Sequence, residues 1–214
     1  MVEPATQPQR FTDPAELRRA ARAGTFSRTT SGHCPGIAQA NIAVLPRRYV
    51  AEFETFCALN PQPLPLLGIF DSPLLPSLGN DIDIRTDVPA YEVFDGERRF
   101  EADDVTRFWR DDFVTFAIGC SFGFEGALME AGVPIRNVEQ GRTVSMYDTS
   151  IPTRSTPLFD PPMVVSMRPL PADRIEIART VTGSLPGAHG APVFAGREFG
   201  AIGIADLSRP DYGD

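Results

Sequence analysis

A chain of 214 residues with 42% hydrophobic and 22% charged residues is long enough to bury a sizeable core and too apolar to remain disordered. Its net charge of -8, with no basic patch beside aromatics, argues against a nucleic-acid partner and gives no reason to expect an anionic membrane. All 20 basic residues are arginine, which excludes a lysine Schiff base and the phosphate-binding lysine of a P-loop.

The two histidines, His33 and His189, are too few for a three-histidine zinc site. Cys34, Cys57 and Cys120 are odd in number, widely spaced and without a CxxC pair, so a reducing compartment is expected rather than a disulfide framework. Met1 to Arg10 has neither the positive n-region nor the apolar h-region of a secretory leader, and no apolar run approaches a membrane span. The expectation is a soluble, cytoplasmic protein. Its partner is expected to be a small carboxylate or amino acid, and self-association is left open.

In chain order, Thr12-Asp13-Pro14 marks a helix start and Gly24 its stop. A loop holding His33 and Cys34 leads to a strand over residues 37–45, then a helix over 47–59 that ends at Asn60-Pro61. Five prolines between Pro61 and Pro76 mark an irregular stretch, with a short strand at 66–70. Alternating runs around Asp95-Gly96 predict a hairpin, and residues 102–109 a short helix. Phe113 to Gly119 reads as a buried strand leading through Cys120-Ser121 into a helix over 124–131. A strand at 163–167, a helix over 173–185 and late strands at 193–194 and 201–205 follow. The pattern predicts a mixed α/β (α+β) protein in two parts. A three-layer α/β core takes residues 1–60 and 112–214, and a smaller α+β insertion with the hairpin takes 61–111.

Gly119-Cys120-Ser121-Phe122-Gly123 matches GxSxG at a strand-to-helix turn, the place of a nucleophile elbow. With Asp160 or Asp173 and then His189 downstream, it gives the order of a serine hydrolase. The same small residues equally suit a plain tight turn whose amides, around Cys120 to Phe122, hold a substrate carboxylate. Glu125, one turn further, is an acid-base candidate or a complement to the helix dipole. Arg110 and Asp111 offer a carboxylate fork and a general base, or a solvated ion pair with Asp112. His189 lies among small residues that allow close approach of a ligand. Arg142 and Arg168 are further anion clamps. Cys120 reads as a nucleophile or, alternatively, a small buried residue. Asp81 and Asp83 lack the spacing of a calcium loop; no metal or cofactor is expected, with a substrate-held divalent ion left open.

Several segments together resemble one family. They are Gly36-Ile37-Ala38-Gln39-Ala40-Asn41 before Leu45-Pro46; Trp109-Arg110-Asp111-Asp112 with Ile118-Gly119-Cys120-Ser121-Phe122 and Glu125; Val138-Glu139-Gln140-Gly141-Arg142; Val165-Ser166-Met167-Arg168-Pro169; His189-Gly190-Ala191-Pro192-Val193; and the run from Gly203 to Asp214. In this order, from about Pro14 to Asp214, they resemble the hydro-lyase family related to D-glutamate cyclase. The resemblance implies a two-part α/β architecture and elimination of water, in the best-defined relatives closure of D-glutamate to 5-oxo-D-proline. It supplies no established catalytic residues, so the candidates remain those read from the motifs: Asp111, Ser121, Glu125 and His189 for catalysis, and Asn41, Arg110, Cys120, Arg142 and Arg168 for binding. It also implies an apolar segment beyond the equivalent of Asp214, whose lack is expected to leave a sheet edge open or lower activity. A non-catalytic protein that binds a small carboxylate is the remaining alternative.

Overall fold

Asp13 caps the first helix, α1 (Pro14–Arg22), in the computed structural model, which describes residues 10–214. Its carboxylate accepts from the Ala15 amide at 2.9 Å, and Gly24 turns the chain away with φ of 66°. The N-terminal stretch expected not to be a secretory leader lies, up to Gln9, outside the described residues. Strand β1 (Ala40–Pro46) starts three residues later than its apolar run, and a 3-10 turn leads into α2 (Val50–Leu59). Strand β2 (Leu66–Phe70) follows the proline-rich turn at Pro61–Pro65. The hairpin forms from β3 (Tyr91–Asp95) and β4 (Arg98–Ala102). Its loop is Gly96-Glu97 rather than Asp95-Gly96, because Asp95 pairs with Arg98. Only Gly96 of the two loop residues has positive φ, the pattern of a type II′ turn with glycine leading.

Strand β5 (Phe113–Gly119) runs between β1 and β2 and is antiparallel to both. All of it but Phe113 is buried. That accords with a sequence apolar on both faces except at Thr115, in a strand whose neighbours lie on both sides. Val114, Phe116 and Ile118 share one face and pack against Val50 and Phe53 of α2 and Ala43 and Leu45 of β1. The mixed α+β class stands, with antiparallel pairing in every sheet. The main sheet draws on both sides of residue 60, since β2 pairs with β5.

Beyond β5 a 3-10 turn (Ser121–Phe124) runs into α3 (Glu125–Glu130), and α4 (Arg136–Gln140) follows. Strands β6 (Met146–Pro152) and β7 (Pro162–Ser166) form a separate antiparallel pair, and α5 (Ile175–Gly183) packs on α3. Phe124, Leu128, Val133, Ile135 and Ala178 form the second core there. The expected strands at 193–194 and 201–205 are absent. A 3-10 turn spans Phe199–Ile202, and Gly203 follows with φ of 84°. A Cβ on Gly203 would come 2.8 Å from the Ser150 nitrogen, so the segment is a tight turn pressed on β6. Among the described residues no helix is long and apolar enough to cross a membrane.

Candidate functional site

The turn after β5 gathers polar side chains in an otherwise apolar interior. Gly119 makes this possible: a Cβ there would stand 1.7 Å from the Gly187 carbonyl oxygen, so only glycine lets the segment carrying His189 press against the strand end. Gly123, the second glycine of the GxSxG match, has only ordinary contacts at 3.5 Å. Ser121 begins the 3-10 turn with negative φ, without the strain of a nucleophile elbow.

Glu125, first residue of α3, is 1% exposed and meets four donors. Its Oε1 accepts from Arg168 Nη2 at 2.8 Å and from Asn137 Nδ2 at 3.3 Å. Its Oε2 accepts from Ser31 Oγ at 2.7 Å and from the Gly32 amide at 3.0 Å. Gly32 is required at that spot, since φ is 75° and a Cβ would meet Val138 Cγ1 at 2.7 Å. Arg168, two residues past β7, also donates to Ser121 Oγ at 3.2 Å and to Ser166 Oγ at 3.1 Å, with its guanidinium 4.7 Å above the Phe124 ring. Its Nε is buried and has no partner among the described residues. A buried charge pair with this many hydrogen bonds is a high-stakes arrangement: complete, it fixes one geometry, and removal of either partner is costly.

His189 carries a positive φ of 74°, uncommon outside glycine and most often met in tight or functional loops. Its Nδ1 lies 3.0 Å from the Gln62 carbonyl oxygen. A carbonyl can only accept, so Nδ1 carries the proton and Nε2 keeps a lone pair. Burial, and then the nearby Arg168 charge against the Gln62 hydrogen bond, hold the imidazole below its ordinary pKa. Burial likewise pushes the Cys120 thiol up, so it is a buried thiol and not a ready thiolate.

Of the residues singled out from the sequence, Ser121, Glu125, Arg168 and Cys120 therefore meet at one turn, and the loop that carries His189 packs against it. Asn41 lies at the same end of the sheet, opposite Ile118, but is exposed. Arg142 stands beyond Asn137 at the end of α4. Arg110 and Asp111 sit before the other end of β5, roughly 20 Å from the turn at about 3.3 Å per strand residue. Arg110 makes a two-pronged pair with Asp112 at 2.9 Å. Ser121 and His189 form no hydrogen bond among the described residues, and Ser121 Oγ instead accepts from Arg168. Ser31, Gly32, Asn137 and Ser166 were not singled out. Ser166 lies within a segment that carried the resemblance, whereas Ser31, Gly32 and Asn137 gave no periodic or motif signal. No group of three or more His, Cys, Asp or Glu gathers at metal-ligand spacing among the described residues; Asp81 and Asp83 pair with Arg18 and Arg85.

Fold and site together define an α+β protein built around a buried carboxylate-guanidinium pair at a strand-to-helix turn. The family model for D-glutamate cyclase matches residues 114–214. A protein of Verminephrobacter eiseniae named "Putative hydro-lyase" is 50% identical over 207 residues, covering 95% of this chain and 75% of the relative. One of Corynebacterium urealyticum with the same family name is 52% identical over 207 residues, covering 94% and 77%. One of Rhodopseudomonas palustris is 51% identical over 203 residues, covering 93% and 74%. The chain belongs to this hydro-lyase, D-glutamate cyclase family.

Proposed function

We propose that this chain removes water from a small amino acid, and specifically that it closes D-glutamate to 5-oxo-D-proline. One observation carries the reading: the buried Arg168 guanidinium is shared between Ser121 and Glu125, and its Nε has no partner among the described residues. Such a guanidinium suits the charge that develops on a carboxyl oxygen under attack. His189 Nε2 takes a proton from the substrate ammonium, and the freed amine attacks the side-chain carboxyl carbon. The C–N bond forms, the C–O bond breaks, and the oxygen leaves with its electron pair. In total two protons pass from nitrogen to that oxygen, which departs as water, with His189 as the relay. Ser121 Oγ accepts from Arg168, which leaves its own proton to steady the oxyanion. Glu125 is a positioning residue in this scheme, its two oxygens occupied by four donors. Arg110 and Asp111 take no part, and holding amine and carboxyl together supplies much of the acceleration.

NMR of the purified chain with D-glutamate, and L-glutamate as control, tests the reading. Conversion of the D isomer to 5-oxoproline, abolished in His189→Asn and sharply reduced in Arg168→Lys, is the expected result. A folded protein inert to both isomers rules the reaction out.

A further inference from the structure

Gly141 closes α4 in the left-handed conformation, φ 63°, and turns the chain so that the Arg142 amide donates to the Asn137 carbonyl at 2.9 Å. Arg142 thereby joins Arg136 around one pocket of about 220 Å³, with Asn137, Thr143, Ser145 and Asp214 also on its wall. In a chain of net charge -8, neither arginine has a carboxylate partner among the described residues. The pocket also adjoins the buried cluster. Asn137 donates inward to Glu125 and Ser31, and Met167 on the pocket wall precedes Arg168. Asp214, which accepts from the Thr143 amide at 3.3 Å, sets carboxylate charge against the two arginines on the same wall. A pocket of that balance matches a carboxylate monoanion better than a phosphate dianion.

We propose that Arg136 and Arg142 form the seat for the non-reacting carboxylate of the substrate, and so set the preference for a small acid. This rests on the lyase reading for the identity of the ligand, but the seat can be tested without turnover. Thermal denaturation of the full chain is followed with glutarate, a dicarboxylate that cannot cyclise, and with inorganic phosphate. Glutarate is expected to raise the midpoint and phosphate to do so less. Arg136→Gln and Arg142→Gln each weaken glutarate binding about tenfold, the loss of one charge-assisted contact. Both side chains are exposed, so these variants fold, and Glu139→Gln on the same helix serves as control. In turnover of D-glutamate the two variants raise KM and leave kcat near its original value.

A wild-type chain that ignores glutarate, or a double variant that binds it as before, overturns the seat. Weakened glutarate binding with unchanged KM overturns its assignment to the substrate. Arginine-dependent glutarate binding in a chain that leaves D-glutamate untouched upholds the seat and rejects the cyclase reaction instead.

Discussion

Arg168 Nη2 lies 2.8 Å from Glu125 Oε1, and the two side chains are 9% and 1% exposed. A pair so far from water is stable only while both charges are present. Glu125→Gln keeps the shape and leaves the guanidinium uncompensated, so it is expected to cost about 3 kcal/mol in denaturant unfolding. Adding Arg168→Met should return a good part of that loss, because it removes the stranded charge. If the double variant is no more stable than Glu125→Gln, the loss does not come from that charge.

The depressed pKa of His189 predicts an acid limb in kcat/KM. Its folded-state pKa lies below the ordinary value of about 6.5, so the imidazole stays neutral and competent at neutral pH. Activity therefore falls only as pH drops through a value below 6.5, a limb that His189→Asn should abolish with the activity itself. The same shift has a sign for stability. The unfolded chain takes up the proton first, so the folded state loses stability as pH falls from about 6.5 towards the lower folded pKa. An activity limb above 7 would exclude His189 as the proton acceptor.

The two glycines of Gly119-Cys120-Ser121-Phe122-Gly123 are expected to behave differently. Gly119→Ala pushes a methyl into the Gly187 carbonyl, and should cost roughly 3 kcal/mol or more by forcing the two segments apart. Gly123→Ala meets only ordinary contacts and should stay within about 1 kcal/mol. Thermal unfolding of the two variants side by side decides this, and equal effects would contradict the geometry.

Asp87 anchors α1 to the loop before the hairpin. Its carboxylate takes both Arg22 Nε and Nη2 at 2.7 Å, the Thr86 hydroxyl and the Asp83 amide. Burial alone would raise its pKa, but these donors outweigh it and hold the group low. A depressed carboxylate contributes stability above the unfolded value, about 3.9, and loses it as pH falls through the folded one. Asp87→Asn should lower stability at pH 7 and flatten the acid-denaturation curve below about pH 4. An unchanged curve would show that the α1 anchor lies elsewhere.

Much of this was legible in the sequence because local signals agreed with tertiary packing. Asp13 and Gly24 bound α1, and the apolar runs at 66–70 and 113–119 became β2 and β5 without a shift. Strand β6 went unread although its residues alternate, with Tyr147 and Thr149 buried and Asp148 and Ser150 exposed; its polar composition hid the period. Residues 201–205 looked like a strand by apolar content, but Gly200 and Gly203 turned the chain instead. Within the site, a helix-start glutamate and a strand-end arginine were readable as chemistry. Ser31 and Asn137 were not, since their partners lie 94 and 12 residues away in the chain and only the folded contacts bring them together.

The order β1-β5-β2 also governs how the protein is made. The first two strands do not pair with each other, and each waits for a partner that begins at Phe113. While the ribosome completes those intervening residues, the nascent chain carries two open strand edges and the apolar face of α2 with nothing to close on. Pairings between such distant segments form slowly and expose apolar surface meanwhile. The emerging N-terminal half is therefore expected to need a holding chaperone, and release from it should coincide with synthesis of β5.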